Sequence, residues 1–143
     1  MDVHMTKEEA LKAILDEIFK LNLPKIDESR RDVIHNFIAT TINGDNPSSY
    51  LAVNAGLSEN KEGVISYILT DKRLIKIDID SKGSAESLTY PLNTIIGVER
   101  KLDQDRILFN ISFQKGSFGL EYPQSSKKIT DFFQEIENLA TRG

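Results

Sequence analysis

Val64-Ile65-Ser66-Tyr67-Ile68-Leu69-Thr70-Asp71-Lys72-Arg73-Leu74-Ile75-Lys76-Ile77-Asp78-Ile79 carries the pattern from which the fold follows. Val64 to Leu69 is rich in β-branched and aromatic residues, which suit a pleated strand. The polar residues Thr70-Asp71-Lys72-Arg73 make a tight turn. Leu74 to Ile79 then alternates, with Ile75, Ile77 and Ile79 on one face and Lys76 and Asp78 on the other. A turn this short joins antiparallel neighbours.

The same period of two extends in both directions. Toward the N-terminus, Glu59-Asn60-Lys61-Glu62-Gly63 is a turn and Ser49 to Leu57 a preceding strand. Toward the C-terminus, Ser81-Lys82-Gly83-Ser84 is a loop and Glu86 to Tyr90 a short strand that Pro91 ends. Thr94 to Lys101 is a fifth strand, closed by the Asp103-Gln104-Asp105 turn. Arg106 to Phe113 alternates most cleanly of all, through Ile107, Phe109, Ile111 and Phe113. Lys115-Gly116 makes a hairpin turn, and Phe118, Leu120 and Tyr122 share one face of a seventh strand. After Pro123, Ser125 or Ser126 caps a helix with Ile129, Phe132, Phe133, Ile136, Leu139 and Ala140 at helical spacing. Seven strands with one apolar face each must close into a barrel or sandwich, and the aromatic stripe of the helix plugs an open end.

Before the strands the period is 3.6. Thr6 and Glu9 form a capping box, and Leu11, Ile14, Leu15, Ile18 and Leu21 recur on one helical face up to Pro24. Asp27 or Ser29 starts a second helix, with Val33, Ile34, Phe37, Ile38 and Ile42 as its stripe and Asn43-Gly44 as its stop. Two helices this short bury neither stripe alone. They pack against the rest of the chain or against a second copy. The break at Asp45-Asn46-Pro47-Ser48 divides the chain into a helical hairpin, residues 1–47, and a strand-rich unit, residues 48–143.

The strand-rich unit resembles the pleckstrin-homology-like superfold, in particular its bacterial and GRAM-type members. The resemblance rests on Tyr67-Ile68-Leu69-Thr70-Asp71-Lys72-Arg73-Leu74-Ile75-Lys76-Ile77, where a strand ends in Leu-Thr and the next begins Arg-Leu-Ile. Tyr90-Pro91-Leu92, Ile95-Ile96-Gly97-Val98 and the closing helix with Phe132-Phe133 add to it. It covers about residues 48–141, leaving out the two N-terminal helices. It implies an α+β, mainly β architecture: a seven-stranded antiparallel barrel or sandwich capped by a C-terminal helix and preceded by a two-helix hairpin. It also implies a binding scaffold without chemistry, whose ligands in the superfold are phosphoinositides, peptides or proteins; fold alone does not choose among them.

Composition narrows the field. The 143 residues hold no cysteine, which excludes disulfides, thiolate catalysis and cysteine-based metal sites. Net charge is −4. Residues 1–47 hold six Lys and Arg against nine Asp and Glu, and residues 48–143 twelve against thirteen. Neither part has the basic excess of a nucleic-acid binder. The acidic Met1-Asp2-Val3-His4 start is not that of a signal peptide, and no apolar run reaches membrane-spanning length. These features point to the cytoplasm.

Candidate sites follow from charge and from unexplained apolar faces. Phosphoinositide binding in pleckstrin-homology domains uses bases in the loop between the first two strands; here Ser58 to Gly63 holds one base and two acids, which argues against it. Lys72, Arg73 and Lys76, with Arg100, Lys101 and Arg106 near another turn, form an anionic-ligand or surface site, or else a set of charges paired with nearby carboxylates. Asp78 and Asp80 read as a solvated outer face. His4 and His35 lack companions for a metal site, no nucleophile elbow appears, and no cofactor is implied. Leu11, Ile14, Ile18, Phe37 and Ile38 form either a partner or homodimer face or a cap on the strands. The expected function is a non-enzymatic interaction module for a protein or peptide, the alternative being a lipid-surface module not specific for phosphoinositides.

Overall fold

The structure, a computed structural model, describes residues 6–21, 28–42, 44–54, 63–80, 82–123 and 125–141. Helix α1 spans Lys7–Lys20 and α2 Glu28–Thr41. Seven strands follow: β1 Pro47–Asn54, β2 Val64–Thr70, β3 Arg73–Ile79, β4 Ala85–Pro91, β5 Ile95–Asp103, β6 Arg106–Phe113 and β7 Gly116–Pro123. Helix α3, Lys127–Thr141, closes the chain. All neighbouring strands are antiparallel. They form a four-stranded sheet in the order β1-β2-β3-β4 and a three-stranded sheet in the order β5-β6-β7.

Local sequence accounts for most boundaries. The Thr6 hydroxyl accepts from the Glu9 N–H while the Glu9 carboxylate accepts from the Thr6 N–H, both at 3.1 Å, so the capping box forms as read. Helix α3 begins directly after Ser126, whose carbonyl accepts from the Thr130 N–H at 3.1 Å. β1 starts at Pro47, two residues earlier than the spacing suggests, since a first strand residue needs no N–H; the expected continuation to Leu57 and the turn as far as Glu62 lie outside the described residues, as do Asp27 and Asn43. Leu92–Thr94 is a short 3-10 turn, so β5 starts at Ile95 and runs on to Asp103. A bulge between Ile95 and Gly97 turns Ile96 outward, leaving it 69% exposed.

Two cores share the first sheet. Between the sheets lie Leu51, Ile65, Tyr67, Leu69 and Leu74 from one side, Phe109, Ile111, Phe118, Leu120 and Tyr122 from the other, and Ile129, Phe132, Phe133 and Ile136 from α3. On the opposite face of the first sheet, Ile68, Ile75, Ile77 and Ile79 pack against Leu11, Ile14, Ile18, Ile34, Ile38 and Ile42 of the hairpin. β2 is buried at every position because both its faces are covered. Each buried Leu or Ile contributes about 1.5–3 kcal/mol, whereas an exposed ion pair such as Glu17–Lys128 between α1 and α3 (2.6 Å) contributes about 0–1 kcal/mol. Apolar burial therefore holds the hairpin down, and polar ties set its orientation.

This packing changes two sequence expectations. Val33 is 49% exposed and stands outside the α2 stripe, which runs through Ile34, Ile38 and Ile42. The charged side of β3 is not an outer face. Since Ile75, Ile77 and Ile79 meet the helices, Lys76 and Asp78 stand on the inter-sheet side with Leu74, half-buried, their charged groups 3.9 Å apart. Asp80, by contrast, is exposed, and its carboxylate accepts from the Lys82 and Ser84 N–H groups at 2.9 Å each.

Ser66 is an anomaly in the second core. It stands between Ala52 and Ile77 on neighbouring strands, 1% exposed, and its hydroxyl has no hydrogen-bond partner. A buried unmade hydrogen bond is unfavourable by about 1–3 kcal/mol. Ser66→Ala is expected to raise stability by about 1 kcal/mol, read as a higher urea midpoint at unchanged slope; a lowered midpoint would reveal a partner for the hydroxyl.

Candidate functional site

The Leu69-Thr70-Asp71-Lys72-Arg73 motif forms a polar knot with the link between α2 and β1. Asp45, 6% exposed, accepts from the Thr70 hydroxyl at 2.9 Å and from Arg73 Nε at 2.6 Å. Arg73 also donates to the Thr41 carbonyl at the end of α2, at 2.9 Å. The Thr70 hydroxyl accepts from the N–H groups of Lys72 (3.1 Å) and Arg73 (2.9 Å), fixing the turn, and Asp71 pairs with the Asn46 backbone through both its carboxylate and its N–H. A second tie joins Arg30 of α2 to the Gly83 carbonyl at 2.8 Å. Arg73 thus fastens the helical hairpin to the sheet.

Burial pushes the Asp45 carboxyl up, but hydrogen bonds from Arg73 and Thr70 and the charges of Arg73 and Lys72 outweigh it, so its pKa lies below the ordinary 3.8. A depressed carboxyl stabilises the fold above its unfolded-state pKa, and that contribution is lost as pH falls through the folded value. Asp45→Asn is therefore expected to lower stability by about 2 kcal/mol at pH 7. The gap from the parent chain should narrow as the pH falls from the ordinary carboxylate range through the depressed range in which folded Asp45 takes up its proton. Urea unfolding at neutral and acid pH checks both; a gap independent of pH would remove the charge from the explanation.

The basic residues do not converge. Arg73 is in the knot. Lys76 lies on the inter-sheet side of β3 beside Asp78. Arg100 points from β5 to α3, with Glu137 at 3.6 Å and Gln134 at 3.3 Å. Arg106 donates to Glu121 across the β6–β7 pair at 2.7 Å. Lys72 is exposed in the β2–β3 turn, its charge felt by Asp45. The apolar set is placed with equal clarity: Leu11, Ile14, Ile18 and Ile38 are buried against the outer face of the chain's own first sheet, with Phe37 half-buried at its margin. Among the described residues no group of three or more His, Asp or Glu is gathered as metal ligands would be, and no helix is long and apolar enough to cross a membrane.

An open cleft lies elsewhere on the described surface. Helix α3 packs against β1 and β5, leaving the opposite side of the sandwich to a cleft of about 630 Å³ beside β4. One wall is Leu88-Thr89-Tyr90-Pro91 with Thr94; the other is Phe113 to Ser117, the β6–β7 turn. The Tyr90 ring stacks on Phe113 at 4.6 Å and lies 5.9 Å from Phe118, forming an aromatic floor. The walls are tied together, since the Gln114 N–H donates to the Thr94 carbonyl at 2.9 Å and the Thr94 hydroxyl to the Pro91 carbonyl at 2.7 Å. The cleft is preformed, largely apolar, and of a volume usual for ligand sites. Sequence reading passed over these residues because some twenty positions separate the walls. One local signal was available: Leu88, an apolar residue in an otherwise polar stretch, 43% exposed.

Sheets of four and three antiparallel strands, closed by a C-terminal helix, are a pleckstrin-homology-like fold. Among solved structures, the chain is similar to a pleckstrin homology domain from Shewanella amazonensis SB2B, with a TM-score of 0.50 and 15% sequence identity over 73% of this chain and 96% of that one. At that identity the likeness establishes the fold alone. No family model and no curated protein matches the chain.

Proposed function

We propose that this chain is a non-enzymatic interaction module that binds a protein or peptide in the cleft beside β4. The observation that carries the reading is the cleft itself, floored by Tyr90 and Phe113 and bounded by the free edge of an outermost strand. The pleckstrin-homology-like fold is consistent with it, being used as a binding scaffold. A lipid-surface role would need cations on one face, whereas Arg73, Arg100 and Arg106 are each engaged by a carboxylate at a different place.

Selection of random linear peptides displayed on phage tests the reading. Bound sequences should lose at least about tenfold in affinity to Leu88→Asp, a change at an exposed position that buries a charge only when the cleft is filled. Co-sedimentation with anionic vesicles that weakens with added salt, and with Lys72→Glu, would replace this reading with the lipid-surface one.

A further inference from the structure

We infer that the cleft takes its ligand as an added β-strand, and that this strand carries an acidic side chain for Lys115; the inference rests on the peptide-binding reading above. Two observations lead to it. The first is the state of the β4 edge. Among the described residues, β4 is the outermost strand of its sheet and pairs with β3 alone, so its other edge presents backbone groups to no neighbouring strand. Exposed edges are commonly guarded by charge or proline. β5, an edge of the other sheet, is guarded by Glu99, Arg100, Lys101 and Asp103. In β4 the guards stand at the ends, Glu86 and Pro91, and Ser87-Leu88-Thr89-Tyr90 between them holds neither charge nor proline. That unguarded stretch borders the cleft.

The second observation is charge. Among the described residues that line the cleft, Lys115 is the single ionisable cation, and no carboxylate lines it. Lys115 is exposed at the tip of the β6–β7 turn, across the cleft from β4. A strand paired with β4 would lie roughly 4.8 Å beyond it, over the Tyr90–Phe113 floor. Its side chains alternate, so those on the sandwich side continue the row of Leu88 and Tyr90. One of them meets the aromatic floor, and another, two residues along, reaches toward the Lys115 ammonium. Backbone pairing supplies affinity, while the apolar and acidic side chains at alternate positions supply selectivity. The partner is therefore an extended segment with an acidic and an apolar residue spaced by two.

The phage-selected peptides separate this inference from the reading beneath it. Enriched sequences should place Asp or Glu two residues from an apolar side chain. Lys115→Glu should weaken them by on the order of tenfold, and peptides with Lys in place of the acid should recover binding to that variant. Hydrogen exchange of the complex should show slowed amides in β4. Leu88-dependent peptides without an acid, unaffected by Lys115→Glu, or leaving β4 exchange unchanged, would overturn the added strand while leaving the cleft a peptide site. Absence of any Leu88-dependent peptide would overturn both.

Discussion

Phe133→Ala is expected to destabilise the chain by about 3–5 kcal/mol. Phe133 is fully buried and sits where three elements meet: its ring lies 4.5 Å from Phe109, 5.8 Å from Tyr122, 6.0 Å from Tyr67 and 6.1 Å from Phe118. It is the residue through which α3 closes the gap between the two sheets. Truncation removes the transfer free energy of the ring and leaves a cavity whose aromatic walls cannot collapse. Phe133→Leu restores part of the volume and should recover roughly half of the loss. Urea denaturation of the two variants checks the order. A cost below about 1 kcal/mol for the alanine variant would mean that α3 is not the plug of the sandwich.

Gly63→Ala is expected to be nearly as damaging, for a reason unrelated to hydrophobicity. Gly63 enters β2 at a φ of 123°, a region that L side chains rarely adopt. A Cβ there would also fall on the Ile79 carbonyl oxygen and come within 3.0 Å of the Asp80 Cα, both parts of a neighbouring backbone that cannot rotate aside. Strain of about 1–3 kcal/mol and collision of about 1–3 kcal/mol together give a loss of about 3 kcal/mol or more, a fall in Tm near 10 °C. Gly116 provides the control. Its φ is 116°, but nothing lies within 4 Å of the position its Cβ would take. Gly116→Ala should therefore show the conformational part alone, about 1–3 kcal/mol. Equal losses at the two positions would exclude the collision with β3.

The two variants probe different layers of one design. Phe133 reports on the inter-sheet core, and Gly63 on how closely the start of β2 approaches the end of β3. The latter matters for the hairpin as well, since Val64 and Ile79 belong to the core beneath α1 and α2.

Local order was legible in the residues themselves. The Thr6–Glu9 capping box, the alternation of Ile107, Phe109, Ile111 and Phe113, and the turn at Thr70-Asp71-Lys72-Arg73 each depend on neighbours within a few positions, and short-range sterics and hydrogen bonding suffice to specify them. The tertiary structure decided what alternation alone leaves open, namely which face of a strand meets which partner. Alternation marks the isoleucine face of β3 for burial but does not name its partner; the hairpin took that face because Ile75, Ile77 and Ile79 bury more apolar surface than the side holding Lys76 and Asp78, which the tertiary structure turned toward the other sheet. Arg73 likewise could have served a ligand until the chain brought Asp45 to it from twenty-eight positions away, where an uncompensated buried carboxylate would have been costly. The cleft beside β4 belongs wholly to this second category. Its walls are distant in the chain, and they meet only once the two sheets have packed, on the side that α3 does not cover.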